Sequence, residues 1–378
     1  MPRDMEESIH RFLEKYRDEI VENVCRLVRI PSIESEKEEI YPYGKECAKA
    51  LDFCADLAKE KGLVSENYQY YGLEIRPWEK AEGKRLLLAG HVDVVVPSNE
   101  DLYPSFGGTV DRGYIIGRGA VDDKGPLLAL FYALVFLKEE GIHPNCDVRL
   151  FAGAHEETDM KDIEYYLEKA GQPDFGIAAD DDFPITNGEK SVLWFRLKSD
   201  RPCLEIWKRI SEDPTGNELG IESVGGQYGN SRCKIRKQED TWAEIDIRFP
   251  MTMTIGEAKE KIYEFADRYG LQVEFIKEDE GYYISENEGI PKLLIQLHHE
   301  IEQSEDSAYI MEGCTYARKF RLGCGFGAGR QNERKPFPKG HGQAHGADEA
   351  QNIDALMRAV RLYILAILAI DDYWITHS

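Results

Sequence analysis

The sequence has no pair of cysteines in a C-x-x-C arrangement, although it contains eight cysteines. They stand at positions 25, 47, 54, 146, 203, 233, 314 and 324. Ribbon-type zinc sites are built on such pairs, so a site of that kind is excluded. The first twenty residues, MPRDMEESIHRFLEKYRDEI, are charged throughout, unlike a secretory signal. We therefore expect a cytoplasmic protein whose thiols are free.

Long apolar runs and an excess of positive charge are also missing. The apolar stretch 362–370 is too short to cross a bilayer. Asp and Glu number 70 against 47 Lys and Arg, which gives a net charge of −23. Because a field of this sign repels nucleic acids and anionic membranes, we expect neither as a partner.

The chain does contain an alternation of helical and strand-like segments. Apolar residues spaced three or four apart predict helices up to about residue 28 and over 43–61, 122–138 and 159–169. Apolar runs predict strands at 85–97, 147–154 and 175–179. This order predicts an α/β fold with a mostly parallel sheet flanked by helices. The length of 378 residues predicts two domains.

From about residue 190 the pattern changes. Apolar and polar residues alternate at 191–199 and 241–250, as in half-exposed strands, and a further strand is predicted at 271–279. A helix is predicted at 255–269, and the segment 216–230 has the composition of a loop. These elements predict a small α+β module inserted in the chain. Helical spacing then resumes at 291 and again over 353–373.

Side chains of the types that bind metals follow the predicted strands. The first are His91 and Asp93, which interrupt the apolar stretch 85–97. The others are Asp122 and Asp123 after GRG, His155, Glu156 and Glu157 after FAGA, Asp180, Asp181 and Asp182 after FGIAA, and His341 and His345 in HGQAHGADE. Ligands bind at the ends of strands in open α/β sheets, and imidazole with carboxylate suits Zn, Mn or Co. Each motif alone is weak, because an H-x-D in a strand is more often a satisfied core pair. Together they exceed the needs of one tetrahedral zinc and suit two ions that share a carboxylate.

Six segments resemble the motifs of a known enzyme family: GHVDVVVP, GRGAVDDKGP, AHEET, ADDDFP with NGEK, EGCTYAR and HGADE. They are similar to those of the co-catalytic zinc peptidases, which include PepV-type dipeptidases, carnosinases, aminoacylases and succinyl-diaminopimelate desuccinylase. The resemblance is strongest to the PepV type and covers nearly the whole chain. It implies a zinc-binding catalytic domain, residues 1–188 and 291–378, that carries an inserted α+β lid domain, residues 189–290. Several relatives dimerise through the lid, which implies a possible homodimer here.

The resemblance also implies a role for each residue of the site. The implied metal ligands are His91, Asp122, Glu157, Asp180 and His345, with Asp122 bridging two zinc ions. Glu156 is the implied general base and Asp93 the partner that orients His91. Strand geometry agrees, because positions 91 and 93 of one strand share a face, and a metal-bound imidazole usually donates its other N–H to a carboxylate. Metal binding lowers the pKa of water to about 7, so that Glu156 can take its proton and deliver it to the leaving amine.

We therefore expect a di-zinc metallohydrolase, with Mn or Co as other metals, that cleaves the amide bond of dipeptides or short peptides. Because a guanidinium binds a carboxylate bidentately, Arg248 in DIRFP and Arg318 in TYAR are candidates for holding the substrate. Thr315, the first residue of TYAR, is a third candidate for substrate binding. Two alternatives stay open. One is an N-acyl amino acid deacylase, and the other is a homologue that binds metal without turnover.

The lid differs from the PepV-type pattern. Those enzymes carry a histidine in the first half of the lid that stabilises the oxyanion, whereas here no histidine stands between His155 and His298. Glu312 and Cys314 replace two family glycines beside TYAR. His155 occupies a position that is usually small or acidic, and we expect it behind the ligands or at the solvent. The missing histidine is the reason to consider a homologue that binds metal without turnover. The complete set of metal ligands, together with Glu156, argues against such a homologue.

Overall fold

The structure is a computed structural model that describes residues 3–38, 40–79, 82–221, 225–330, 333 and 335–377. Its α-helices are α1 (Arg3–Val28), α2 (Lys45–Glu60), α3 (Lys124–Glu139), α4 (Lys161–Ala170), α5 (Leu204–Glu212), α6 (Ile255–Tyr269), α7 (Gly289–Glu302) and α8 (Ile353–Thr376). Its strands are β1 (Val64–Asn67), β2 (Gly72–Arg76), β3 (Arg85–His91), β4 (Thr109–Asp111), β5 (Tyr114–Ile116), β6 (Asp147–Gly153), β7 (Phe175–Ala178), β8 (Asp181–Phe183), β9 (Thr186–Glu189), β10 (Ser191–Lys198), β11 (Arg232–Glu239), β12 (Trp242–Phe249), β13 (Gln272–Asp279), β14 (Tyr282–Tyr283), β15 (Tyr309–Met311), β16 (Gly323–Gly325), β17 (Ala328–Arg330) and β18 (Ala350–Asn352).

The chain divides into two compact units. Unit 1 comprises Met1–Ile185, Glu286–Ser307 and Thr315–Ser378, and unit 2 comprises Thr186–Ser285 and Ala308–Cys314. The segment Ala308–Cys314 lies within residues 291–378, the predicted second part of the catalytic domain. It belongs to unit 2 because its strand β15 pairs with β9, which also pairs with β14.

Unit 1 is built on a sheet in the order β1-β2-β6-β3-β7-β16. The strands β6, β3, β7 and β16 run parallel, whereas β1 and β2 are antiparallel to their neighbours. Helix α3 is apolar around its circumference and packs against β3, β6, α1 and α8. The predicted mostly parallel sheet flanked by helices is therefore confirmed. No helix within the described residues combines the length and apolar character that crossing a membrane requires.

The predicted strand over 85–97 is shorter than expected, because β3 ends at His91. The Val92 N–H still donates to the carbonyl of Gly153 at 2.8 Å, but the Val94 N–H donates to the carbonyl of Ser32 at 3.0 Å, away from the sheet. Val92 and Val94 remain buried. Their apolar character therefore reflected burial and not strand pairing, and the prediction for residues 92–97 was wrong.

Unit 2 contains an antiparallel sheet in the order β11-β12-β10-β13, with a core formed together with α5 and α6. Alternate residues of β10, such as Phe195, enter this core, where they meet Trp207 of α5 and Ile262 of α6. Helix α6 begins with a capping box formed by Thr254 and Glu257. Helix α5 and strand β11 were not predicted from the sequence. The first has only nine residues, and the second carries mostly charged side chains.

Candidate metal centre

Three neighbouring parallel strands of unit 1 deliver side chains to one edge of its sheet. His91 is the last residue of β3, Glu156 and Glu157 follow β6, and Asp180 follows β7. Adjacent parallel strands end at the same edge, which explains why residues distant in sequence meet there. The turn before α3 adds Asp122, and the loop before β18 adds His345.

The five predicted ligands lie close together. His91 Nε2 is 3.1 Å from Asp122 Oδ1 and 3.7 Å from Asp180 Oδ2. His345 Nε2 is 2.9 Å from Asp122 Oδ2 and 2.9 Å from Glu157 Oε2. The two carboxylate oxygens of Asp122 therefore face two different imidazoles.

The Nδ1 side of the His91 imidazole contacts Asp93, two residues later in the chain. His91 Nδ1 is 3.3 Å from Asp93 Oδ1 and 3.0 Å from the Asp93 carbonyl oxygen. Asp93 Oδ2 accepts the backbone N–H of Glu157 at 3.1 Å. Asp123 Oδ2 accepts the His91 backbone N–H at 3.1 Å, and a Cβ at Gly90 would lie 2.4 Å from that oxygen. Asp123, a candidate ligand in the sequence, thus holds the end of β3, which requires glycine at position 90.

The donor set fits divalent metal ions. Ligand-type atoms lie within 4.8 Å of one another in two groups that share His91, one with Asp122 and Glu157 and the other with Glu156 and Asp180. Glu156 Oε1 and Glu157 Oε1 are buried and have no hydrogen-bond partner among the described residues. Because a buried carboxylate oxygen without a partner is costly, a cation bound here would stabilise the site. Imidazole with carboxylate suits Zn, Mn or Co.

The crowding of acidic groups shifts their pKa values. Burial, followed by the charge of neighbouring carboxylates, raises the pKa of Glu156 and of Asp180 well above the usual range. Burial and the charge of Asp122 raise the pKa of Glu157 to about 7. Hydrogen bonds to Asp122 and Glu157 raise the pKa of His345 to about 10. These raised pKa values show that ionising all of the carboxylates would place more negative charge in the site than its two imidazoles can neutralise.

The buried carboxylate of Asp162 forms hydrogen bonds with the turn after β6. Asp162 Oδ2 accepts the backbone N–H groups of Ala154 and His155 at 2.7 and 2.8 Å, and the Tyr316 hydroxyl donates to the same oxygen. A Cβ at Gly153 would lie 1.9 Å from the Tyr316 hydroxyl oxygen, so the close approach requires glycine. These contacts of Asp162 and Tyr316 were not predicted, although Tyr316 stands in the segment TYAR. An acid early in a helix, such as Asp162, has no distinctive signal.

His155 is buried behind the same turn and not at the solvent. Its Nε2 is 3.0 Å from Glu34 Oε1, and its Nδ1 is 2.7 Å from Asp159 Oδ1. The ring stacks on Tyr43 with a centroid distance of 4.0 Å. These contacts attach the turn to the segment around residue 34.

The remaining acidic and imidazole candidates have structural contacts. His341 Nδ1 is 2.6 Å from Asp348 Oδ2, and Asp348 Oδ1 accepts the backbone N–H groups of Leu102 and Tyr103 at 2.7 and 2.9 Å. Asp181 and Asp182 lie on β8, which pairs with β17. His341 and Asp348 therefore anchor the loop that carries His345.

The predicted substrate-binding residues are divided between the units. In unit 2, Arg248 Nε donates to Asp246 Oδ1 at 2.8 Å, and its Nη1 donates to the carbonyl of Glu312 at 3.0 Å. In unit 1, Thr315 precedes a 3₁₀ turn, Tyr316–Lys319, that contains Arg318. The buried Thr315 hydroxyl accepts the backbone N–H of Ala317 at 3.1 Å and so caps this turn.

Fold and site together define an α/β protein with a candidate two-metal centre at the carboxyl ends of parallel strands. The model of the peptidase family M20/M25/M40 matches residues 87–369, which is most of the chain. The chain therefore belongs to this family, and the resemblance noted in the sequence is confirmed.

A beta-Ala-Xaa dipeptidase from Lactobacillus delbrueckii subsp. lactis is 34% identical over 202 residues, which cover 52% of this chain and 42% of that protein. The match thus spans less than half of the relative's length. Human carnosine dipeptidase 1 has a similar fold, with a TM-score of 0.72 and 13% identity over 97% of this chain and 99% of that one. The Bacillus subtilis YXEP protein, described as a dinuclear metal-binding peptidase, has a TM-score of 0.61 and 12% identity over 96% of this chain and 99% of that one.

Proposed function

We propose that this protein is a two-metal peptidase that hydrolyses the amide bond of dipeptides or other short peptides. The proposal is carried by Asp122, whose two oxygens face His91 and His345 separately. A carboxylate placed in this way suits a bridge between two ions that are about 3.5–4 Å apart. Family membership and the name of the Lactobacillus relative support peptide hydrolysis.

Zinc is the proposed metal, at two ions per chain, and Mn or Co would suit the same donors. By proximity, His91, Asp122 and Asp180 would hold one ion, and Asp122, Glu157 and His345 the other. Bound ions supply Lewis acidity, which polarises the amide carbonyl and lowers the pKa of water.

Glu156 is the proposed general base. Its buried Oε1 has no hydrogen-bond partner among the described residues, and the side chain lies in one group with His91 and Asp180. The carboxylate can therefore accept a proton from the attacking water and pass it to the leaving amine. Asp93 is the proposed positioning residue, because its carboxylate contacts both the His91 imidazole and the backbone of Glu157.

Arg248, in unit 2, and Arg318, in unit 1, are each proposed as a residue that binds a substrate carboxylate. A guanidinium matches a carboxylate in charge and in its forked geometry. Hydrogen bonds to Asp246 and Glu312 fix the orientation of Arg248. The capping contact of Thr315 gives this residue the role of holding the turn of Arg318 in place.

The role of Glu156 is tested with Glu156→Gln, which keeps the size of the side chain and removes the base. We expect kcat to fall about 10²- to 10⁴-fold while two ions per chain remain, as measured by elemental analysis. Glu168→Gln, on an exposed position of α4, is the control and should retain both activity and metal. Wild-type turnover in Glu156→Gln would refute the role, and loss of metal would make Glu156 a ligand.

The substrate class is tested by a hydrolysis screen with Zn, Mn or Co. β-Ala-Xaa dipeptides come first, because the Lactobacillus relative is named for them, followed by α-dipeptides and N-acyl amino acids. Hydrolysis of dipeptides supports the proposal. Hydrolysis restricted to N-acyl amino acids would identify a deacylase. Full metal occupancy with no turnover of any substrate would identify a binding protein.

A further inference from the structure

The side chain of His345 is more exposed than those of the other four proposed ligands. Its side chain is 54% exposed, against 15% for Asp180 and less for the remaining three. Its backbone has φ +58°, in the left-handed region. The position of its imidazole therefore depends on the backbone of the loop that carries it.

A buried carboxylate four residues later connects this loop to the turn of Asp122. Glu349 is 1% exposed, and its Oε1 accepts the backbone N–H groups of Val121 and Asp122 at 2.8 and 3.0 Å. Its Oε2 accepts Arg118 Nη1 at 2.5 Å. The backbone of Asp122, the proposed bridge, is thus held by a side chain from the loop of the other proposed ligand.

Arg118 also forms a hydrogen bond with the loop that carries His345. Arg118 is 3% exposed, and its Nη2 donates to the carbonyl of Gly346, the residue next to His345, at 2.9 Å. The Gly117 N–H also donates to the carbonyl of Glu349 at 2.8 Å. Charge-assisted bonds of this kind are short and directional, so the two backbones are held in one relative position.

We propose that Arg118 and Glu349 are positioning residues that set His345 against Asp122, so that the site holds its second ion tightly only while both are present. This inference rests on the proposed two-metal function. Neither residue is a ligand or touches substrate in this scheme. Their effect is exerted through the backbones of Asp122 and Gly346.

Other contacts keep the loop folded when this connection is broken. Lys335 Nζ donates to the carbonyls of Gly342 and Ala350 at 2.6 and 2.8 Å. Asp348 binds the backbone N–H groups of Leu102 and Tyr103. Loss of the Glu349 charge should therefore displace His345 without detaching the loop.

The test is a cobalt titration of the metal-depleted 378-residue chain, monitored by calorimetry and by the visible spectrum of bound Co²⁺. In Glu349→Gln we expect the second ion, which needs His345, to bind about 10- to 100-fold more weakly. The first ion should lose less affinity, because it keeps His91 and Asp180. Arg118→Lys keeps the charge, but one ammonium cannot replace the planar fork, so an intermediate loss is expected. Should Glu349→Gln fail to fold, Arg118→Lys alone must show the selective loss.

Glu74→Gln is the matched control, because Glu74 is another buried carboxylate of unit 1. It binds Arg149 at 2.8 Å and the Tyr166 hydroxyl at 2.6 Å. It should leave both ion affinities unchanged even where it lowers the melting temperature.

Unchanged second-ion affinity in Glu349→Gln would overturn the inference and leave the proposed function standing. Equal weakening of both ions in Glu349→Gln and in Glu74→Gln would overturn it too, because the effect would then be one of general stability. Wild-type protein that binds fewer than two ions would refute the proposed function itself, and the inference with it.

Discussion

The hydroxyl of Tyr316 donates to buried Asp162 beneath the turn of Glu156, and its removal should destabilise the protein more at high pH than at low pH. Tyr316→Phe keeps the ring and deletes one donor. At pH 8 Asp162 is charged, and a hydrogen bond to a charged group contributes about 1.5–3 kcal/mol. At pH 5 Asp162 is mostly protonated, and a neutral hydrogen bond contributes about 0.5–1.5 kcal/mol. The variant should therefore lose about 1–2 kcal/mol more at pH 8.

The sign follows from the pKa of Asp162. Burial, followed by the charge of Asp93, raises this pKa from 3.8 to about 6. An acid whose pKa is raised by folding stabilises the protein below its unfolded pKa, and that contribution is lost as the pH rises through about 6. The rise of the Asp162 pKa from 3.8 to about 6 corresponds to about 3 kcal/mol in the free energy of unfolding. Because the Tyr316 hydroxyl favours the carboxylate, its removal raises the pKa of Asp162 further and enlarges the loss.

The assay is urea unfolding of wild type and Tyr316→Phe at pH 5 and pH 8, with chelator present so that metal binding does not contribute. Titrations common to both proteins cancel in the difference. Asp162→Asn supplies the control, because in its background Tyr316→Phe should have the same effect at both pH values. A free energy of unfolding lowered equally at pH 5 and pH 8 in the parent background would refute the reasoning.

Two further predictions concern metal and helix capping. Chelation should lower the melting temperature, because each ion contributes about 2.7 kcal/mol when its free concentration is a hundred times its Kd. His345→Ala should show a smaller decrease on chelation than wild type. An unchanged melting temperature of the wild type would contradict metal binding. Thr254→Ala removes the capping box of α6 and should lower the free energy of unfolding by about 0.5–2 kcal/mol in urea titrations, whereas exposed Thr252→Ala should have no effect.

The convergence of the site could be predicted because its residues sit in local motifs at strand ends. His91, Glu157 and Asp180 each follow an apolar run, and parallel strands place their carboxyl ends at one edge. The contact of Asp93 with His91 was expected from the resemblance, but the strand geometry given for it was wrong, because β3 ends at His91 and Asp93 lies outside the strand. Apolar composition alone does not distinguish such a segment from a strand.

The supports of the site could not be predicted from sequence patterns. Arg118 and Glu349 are 231 residues apart, and Tyr316 and Asp162 are 154 apart. Each pair exists only because the fold brings separate segments together, and neither residue type nor spacing marks the partners. Strand β11 was missed for a related reason, since charged residues on an edge strand weaken the hydrophobic signal.

Glu312 and Cys314, which the resemblance to the PepV type sets in place of two glycines, lie beside Arg248 within unit 2. Glu312 Oε1 is 2.8 Å from Lys190 Nζ, and Oε2 is 3.2 Å from Arg232 Nε. The Glu312 carbonyl and Cys314 Sγ both accept from Arg248 Nη1, at 3.0 and 3.6 Å. The added carboxylate is therefore neutralised by basic residues of the same unit, and Arg248 remains hydrogen-bonded and oriented. An oriented guanidinium suits the proposed role of Arg248 in binding a substrate carboxylate, and it favours the proposed peptidase over a homologue that binds metal without turnover.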